Sequence, residues 1–187
     1  MKKIQIEGKV ALVTGANRGI WRAITIELLK QGAKKVYAGA RDVKSLNELK
    51  QKYADRLVPV MLDVTNDDSI TQLASVATDT EILINNAGVL VAGNFESKNI
   101  LETIKGNFNV NLFWLIKITN AFLPILKEQN SGAIASISSM VGVANMPIIG
   151  SYSISKAAVH SVIQLLRGEL KDSNILVSGI YPGAINT

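Results

Sequence analysis

The stretch KVALVTGANRGIWRAITIELLKQG, residues 9–32, decides the fold. Its first part is an apolar run that ends in Thr14 and Gly15, which is typical of a buried strand. Gly32 stands where helices often end. Between these glycines, apolar side chains recur at helical spacing, at Ile20, Ile24, Leu28 and Leu29. A buried strand that runs through a glycine turn into a helix predicts the first unit of a parallel sheet.

The same alternation continues to the end of the chain. Five more apolar runs have the length of strands, at 34–40, 57–62, 81–88, 133–139 and 175–181. Helix-length segments separate them, at 43–52, 69–77, 98–128 (one or two helices) and 151–171. Thr65, Asn66 and Asp67 are candidate caps for the helix at 69–77. This order predicts a doubly wound, Rossmann-type α/β fold, with about six parallel strands between two helical layers. With no linker, repeat or low-complexity stretch, we expect one domain over residues 1–187.

Composition excludes several classes of protein. A 48% hydrophobic and 19% charged chain is typical of a globular protein, and the absence of cysteine excludes disulfides and thiolate metal sites. The single histidine, His160, leaves no basis for a metal site, and we expect it to be structural. The net charge of +5 forms no basic stripe, so no nucleic-acid partner is expected. Glu7 and Lys9 interrupt any signal peptide, and no apolar run approaches ~18 residues. A cytoplasmic protein without a membrane partner is therefore expected.

The turn at residues 14–20 is suited to phosphate. Thr14 and Gly15 leave the first strand and Gly19 opens the helix, so an anion there would meet free backbone N–H groups. The glycines permit a tight turn and a close approach of the backbone to a ligand. A tight strand–helix connection without a ligand remains the alternative.

Five motifs together extend this interpretation. They are TGANRGI (14–20), NNAG (85–88), ISS (137–139), YSISK (152–156) and YPG (181–183), in this order. The set resembles the short-chain dehydrogenase/reductase family, whose pattern is TGxxxGxG, NNAG, a serine, YxxxK and PG. The resemblance covers the whole chain. It implies an oxidoreductase that transfers hydride between a nicotinamide cofactor and a small-molecule carbonyl or alcohol substrate.

The resemblance also implies the catalytic residues. Tyr152 would be the proton donor, and Lys156, one helical turn later, would lower the pKa of its phenol and hold the nicotinamide ribose. Ser139 would bind the substrate oxygen, with Ser138 as the competing candidate. Asn111 would position a water of the proton relay, with Asn107 and Asn109 as less favoured choices. A surface Tyr–Lys pair, a strand-capping serine and a buried asparagine bonded to backbone are the non-catalytic alternatives.

Cofactor contacts follow from the same resemblance. They are Gly15, Asn17, Arg18, Gly19, Ile20, Asp63, Val64, Asn86, Ala87, Gly88, Tyr152, Lys156, Pro182 and Gly183. The choice of cofactor depends on Arg41, which follows the second strand where NAD-specific members carry an acid. A guanidinium there fits a 2′-phosphate, and Arg18 is a second cation on the same side. NADP is therefore favoured over NAD, and a solvated Arg41 is the alternative.

Two departures from the family pattern stand out. Trp21 replaces the third glycine of the cofactor turn, and its side chain should lean back toward that turn, because helical side chains point toward the N-terminus. We expect it to block or weaken cofactor binding, unless the helix rotates and carries it outside the groove. The sequence also stops at Thr187, where family members continue into a substrate loop and a seventh strand. We expect an unpaired sheet edge at 175–181, poor turnover and association between copies of the chain.

Several alternatives remain open at this stage. A cofactor-free scaffold protein with the same fold is the main one, and a sugar-nucleotide epimerase is disfavoured by the spacing of the glycine turn. The helices at 107–128 and 151–171 resemble the family's pairing surface, which predicts a homodimer or homotetramer; Phe113 and Trp114 would pack or lie at that interface. Residues 89–95 and 140–149 should line the substrate pocket, and their apolar character favours a hydrophobic ketone or alcohol.

Overall fold

The computed structural model describes residues 4–184. It contains six strands: β1 (Val10–Thr14), β2 (Lys35–Ala40), β3 (Leu57–Met61), β4 (Ile82–Asn85), β5 (Gly132–Ile137) and β6 (Ile175–Ile180). Six α-helices accompany them: α1 (Gly19–Lys30), α2 (Asn47–Tyr53), α3 (Asp67–Val76), α4 (Ile100–Phe108), α5 (Trp114–Glu128) and α6 (Gly150–Glu169). Strands and helices alternate as the sequence predicts.

The strands form one parallel sheet in the order β3-β2-β1-β4-β5-β6. The order reverses between β1 and β4, so the crevice at the carboxyl ends of these two strands is the place where this architecture binds ligands. The predicted Rossmann-type α/β fold is confirmed. Strand β6 lies at one edge of the sheet, and Ile180 at its end is 43% exposed.

Each face of the sheet carries its own apolar core. On one face, α5 and α6 bury Trp114, Phe122 and Ile163 against the strands. On the other face, α1 and the turn before α2 bury Leu29 and Leu46. These side chains are at most 1% exposed, so helices α1 and α5 are fixed to opposite faces of the sheet.

The predicted helix at 98–128 is a continuous helical run, Ile100–Glu128, interrupted by a π-helical turn at Asn109–Phe113. By length and composition this run is apolar enough to cross a membrane. Here it packs as a core helix, because α5 buries Leu115, Ile118 and Leu126 against the sheet. A π-helical turn often marks a functional site, and this one carries Asn111.

The observed ends of two strands and the start of one helix differ from the predicted ones. Strand β4 ends at Asn85 and β5 at Ile137, so Asn86, Gly88 and Ser139 lie in the loops after the strands. The segment at 43–52 begins as a 3₁₀ turn, Val43–Leu46, before α2. Asn66 is the cap of α3, and its side chain accepts the Ser69 N–H at 3.1 Å. Gly32 has a φ of +84°, as expected beyond a helix end.

Candidate active site

The turn between β1 and α1 depends on two glycines. Gly15 has a φ of +70° and Gly19 a φ of +54°, which is the left-handed region that favours glycine. A Cβ on Gly15 would lie 3.4 Å from the Cα of Ala87, so the two loops touch closely. Helix α1 begins at Gly19, and Arg18 before it provides no side-chain cap. The Arg18 side chain therefore provides no hydrogen-bond acceptor to the first backbone N–H groups of α1.

Thr14 holds the loop after β4 beside this turn. Its Oγ1 donates to the carbonyl of Ile84 at 3.2 Å and accepts the N–H of Asn86 at 2.9 Å and of Ala87 at 3.2 Å. The Asn86 side chain donates in return to the Thr14 carbonyl at 2.9 Å. Because Thr14 and Asn86 are buried, these bonds fix the position of Ala87 against Gly15.

A cavity of about 350 Å³ opens at the ends of β1, β2 and β3. Arg41 lines it, is exposed to solvent, and makes no ion pair with any residue in 4–184. Asp63 also lines it; hydrogen bonds from the Thr65 N–H and hydroxyl lower the pKa of this carboxyl, and the nearby Arg41 charge adds to the effect. This cavity therefore pairs a free guanidinium with a carboxylate that stays ionised.

A second cavity, of about 250 Å³, lies at the ends of β4, β5 and β6. Tyr152 and Lys156 from α6 line it together with Ser139. The Lys156 Nζ lies 5.7 Å from the centre of the Tyr152 ring and donates to the carbonyl of Ile137 at 3.0 Å. The Ser139 hydroxyl donates to the carbonyl of Pro182 at 3.4 Å. The structure thus brings together three of the four predicted catalytic side chains.

Burial controls the charges in this second cavity. It lowers the pKa of Lys156 to about 8, because the residue is 4% exposed and desolvation penalises its charge. Burial also raises the pKa of Tyr152, and a hydrogen bond involving Ser139 opposes the rise. In this structure the Lys156 ammonium donates to the carbonyl of Ile137, and its expected lowering of the Tyr152 pKa stays a prediction.

The Asn111 side chain is buried and fully engaged in hydrogen bonds. Its Oδ1 accepts the Val89 N–H at 2.8 Å, and its Nδ2 donates to the Val89 carbonyl and to the Ser155 hydroxyl, at 3.0 and 2.9 Å. Asn107, one helical turn earlier, makes the same pair of bonds with Val91. These bonds are those of the buried, backbone-bonded alternative, and the role of Asn111 in the proton relay stays a prediction. The two asparagines clamp the loop after β4.

Trp21 lies where the two cavities meet. Its side chain lines both of them, a property it shares with Gly88 and Val89. The helix still begins at Gly19, and the Thr25 hydroxyl donates to the Trp21 carbonyl as in a regular turn. The indole is therefore accommodated beside the groove's midpoint, with α1 intact.

Together the two cavities outline a long groove at the point where the strand order reverses, between β1 and β4. Comparison with known proteins is consistent with such a groove. A family model described as short chain dehydrogenase matches residues 9–187. The chain belongs to the short-chain dehydrogenase family. An uncharacterized oxidoreductase of Staphylococcus aureus is 35% identical over 183 residues, which cover 96% of this chain and 79% of that protein.

Solved short-chain dehydrogenases have closely similar structures. One from Burkholderia cenocepacia, in complex with NADP, is 38% identical with a TM-score of 0.91, covering 98% of this chain and 76% of its own. A 7α-hydroxysteroid dehydrogenase complexed with NADH and 7-oxoglycochenodeoxycholic acid is 27% identical with a TM-score of 0.87, covering 96% of this chain and 72% of its own. This family therefore includes close structural relatives with either cofactor.

The residues of this short-chain dehydrogenase fit a dinucleotide at both ends of the groove. The first cavity collects Gly15, Asn17, Arg18, Arg41, Asp63, Val64, Ala87 and Gly88. The second collects Ile20, Asn86, Gly88, Ser139, Tyr152, Lys156, Pro182 and Gly183. Two predicted residues, Gly19 and Asn111, line neither cavity. Within residues 4–184 no group of three His, Cys, Asp or Glu side chains is placed to hold a metal ion.

An apolar cavity adjoins the N-terminus of α6 in this short-chain dehydrogenase. It has a volume of about 610 Å³, and its lining includes Phe95, Ile100, Pro147, Ile148 and Ile154. Phe95 and Ile148 are 86% and 73% exposed, so the ring of Phe95 and the aliphatic side chain of Ile148 are accessible to solvent. Sequence reasoning anticipated 89–95 and 140–149 here but missed Ile100 and Ile154, which the helical pattern alone places in the core.

Proposed function

We propose that this protein is an NADP-dependent oxidoreductase that transfers hydride between NADP(H) and a carbonyl or alcohol substrate. The observation that carries the proposal is the meeting of Tyr152, Lys156 and Ser139 in one cavity beside the Arg41 cavity. When bound, the nicotinamide ring supplies or accepts the hydride. The chain itself supplies the proton and the sites for the polar atoms.

Tyr152 is the proposed proton donor for reduction. Because burial raises the pKa of its phenol, the hydroxyl keeps its proton at neutral pH and can transfer it to a substrate oxygen. Ser139 would bind that oxygen, since its hydroxyl lies in the same cavity. Lys156, with a pKa of about 8, is largely protonated at pH 7 and would stabilise a phenolate after proton transfer.

Arg41 supports NADP over NAD. Its guanidinium is exposed on the cavity rim and has no ion pair with residues 4–184, so it is available to a 2′-phosphate. The adjacent acid, Asp42, instead caps the following turn, where its carboxylate accepts the Lys44 N–H at 2.9 Å. The nearest carboxylate that could bind a ribose hydroxyl is thus engaged with backbone, and the position where NAD-specific sites carry an acid holds Arg41.

The proposed substrate is an apolar ketone or alcohol. The 610 Å³ cavity beside α6 is lined mainly by carbon, with Glu96 as the ionisable side chain on its lining. The 7α-hydroxysteroid dehydrogenase, whose ligand is a steroid, has the same fold, which is consistent with a large apolar substrate.

We also propose one domain, a cytoplasmic location, no nucleic-acid or membrane partner, and a homodimer or homotetramer through 107–128 and 151–171. Phe113 and Leu165 are exposed apolar side chains on those helices.

The deciding experiment follows NADPH consumption with a panel of apolar ketones, run beside NADH at equal concentration. We expect turnover with NADPH to exceed turnover with NADH. Trp21 favours one other candidate, a cofactor-free scaffold protein with this fold, because its indole lines both halves of the groove. Calorimetric titration separates the two functions: heat of NADPH binding supports the enzyme, and no binding by the parent protein or by Trp21→Gly supports the scaffold.

A further inference from the structure

The side chain of Tyr181, immediately after β6, folds back over the strand it has just left. A Cβ on Gly179 would lie 2.6 Å from the Tyr181 hydroxyl, so only glycine at 179 leaves room for the phenol ring. The hydroxyl lies 2.8 Å from Nδ1 of His160 on α6, and the two rings meet edge to face with centres 5.5 Å apart. Gly179, Tyr181 and His160 thus form one contact between strand and helix.

This contact joins two parts of the candidate active site. His160 lies one helical turn beyond Lys156 on α6. On the other side, Pro182 follows Tyr181, and its carbonyl accepts the Met140 N–H at 3.0 Å and the Ser139 hydroxyl at 3.4 Å. Because proline has no N–H to donate, it cannot hold this segment through a bond of its own amide. The hydrogen bond of the Tyr181 hydroxyl to His160 is therefore a main contact between the segment around Pro182 and α6.

We propose that His160 and Tyr181 are a positioning pair, which holds the Pro182 carbonyl, and through it Ser139, at a fixed place relative to Tyr152. The proposal rests on the proposed function, because it assigns the pair a role in the same reaction. Ser139 and Tyr152 must reach the same substrate oxygen, yet they come from different elements. The hydrogen bond between His160 and Tyr181 ties α6, which carries Tyr152, to the segment that bonds Ser139.

The first test needs no turnover and uses Tyr181→Phe, which removes the hydroxyl and keeps the ring. His160 is the one histidine in the sequence, so its imidazole nitrogen signals in an NMR spectrum need no further assignment. We expect those signals to move in Tyr181→Phe. We also expect hydrogen exchange at the Met140 N–H to accelerate about three- to tenfold, the effect of one lost hydrogen bond. The Ala133 N–H, bonded to Glu81 at the far end of β5, should not change.

The second test measures steady-state turnover. Tyr181→Phe and His160→Leu should each lower kcat about three- to tenfold. The dissociation constant of adenosine 2′,5′-bisphosphate should stay within twofold, since the Arg41 cavity does not include Pro182 or Gly183. His160→Asn retains a polar group near the position of Nδ1 and should recover most of kcat. Gly179→Ala should lower kcat as well, by displacing the ring. Its matched control is Gly168→Ala on α6, where an added Cβ meets nothing within 4 Å.

The outcomes separate this proposal from the proposed function. Unchanged imidazole signals and unchanged exchange at Met140 in Tyr181→Phe would overturn the pair itself. Altered exchange with unchanged kcat would assign the pair a purely structural role and overturn the positioning of Ser139. No turnover with any ketone, from the parent protein and from Trp21→Gly alike, would count against the oxidoreductase, whereas the exchange rates would still decide whether the pair holds this segment.

Discussion

Replacing Trp21 with glycine should tighten NADPH binding at least tenfold. The indole lines both the Arg41 cavity and the Tyr152 cavity, so a dinucleotide that reaches both must pass beside it. Its ring is part-buried in that position. A tryptophan has ~200 Å² of surface to place, and exposing about half of it costs ~2.5 kcal/mol at ~25 cal/mol per Å². That penalty falls on the parent protein alone.

The magnitude follows from this cost and from overpacking. If the indole stays in the groove, crowding against the ligand costs ~1–3 kcal/mol, and if it leaves, the exposure cost is ~2.5 kcal/mol. At 1.4 kcal/mol for each factor of ten, crowding predicts an affinity gain of about five- to 140-fold in Trp21→Gly and exposure a gain of about sixtyfold, so most of this range lies above tenfold. Isothermal calorimetry with NADPH, on the parent protein and the variant, measures it directly.

Two controls make the measurement specific. Adenosine 2′,5′-bisphosphate fills only the Arg41 end of the groove and does not have to pass Trp21 into the Tyr152 cavity, so its affinity should change less between the two proteins than that of NADPH. Ala23→Gly, at an exposed position two residues further along α1, introduces the same helix-weakening glycine, which costs ~1 kcal/mol of helix stability, without opening the groove. Equal NADPH affinities for the parent protein and Trp21→Gly would refute the reasoning.

Three further substitutions test individual side chains. Arg41→Ala should weaken NADPH binding by about 1.5–3 kcal/mol, the range for hydrogen bonds to charged groups, and leave NADH nearly unaffected; parallel losses would show that Arg41 does not bind the 2′-phosphate. In a Trp21→Gly background, Tyr152→Phe should abolish turnover and keep NADPH binding within a few-fold, and retained turnover would reassign the proton donor. Lys156→Met tests the buried charge, because the folded pKa of about 8 lies below the ordinary lysine pKa of 10.5. The charge therefore costs about 3 kcal/mol below pH 8, and this cost vanishes between pH 8 and 10.5. The free energy of unfolding of the parent protein should therefore rise relative to Lys156→Met over that range, and a constant difference in chemical denaturation would contradict it.

The architecture was predictable from local sequence because every strand is an apolar run between helical segments. The site was predictable to the extent that it consists of strand ends: Gly15, Arg41, Asp63 and Ser139 each follow a strand and therefore reach one edge of the sheet. Glycine at 15 and 19 also fixed the turn before α1, since both adopt positive φ.

Long-range contacts account for what the sequence did not reveal. The loop at 89–91 is held by Asn107 and Asn111, whose spacing in the chain indicates a shared helix face but not what that face touches. The bond between His160 and Tyr181 joins residues 21 positions apart through the packing of α6 on β6. The pKa of Tyr152 depends on how deeply α6 buries the phenol, which no motif encodes.

The buried charge of Lys156 is the strongest single indication of a functional site. The residue is 4% exposed, and its ammonium makes no ion pair with residues 4–184 and has the Ile137 carbonyl as its hydrogen-bond acceptor. A buried cation with so little compensation destabilises the fold, because desolvation of its charge is not offset by a carboxylate. A methionine of similar length would fill the same space without that cost. The lysine therefore cannot be explained by stability, and its position one helical turn after Tyr152, in the same cavity, places the charge where a phenolate would form.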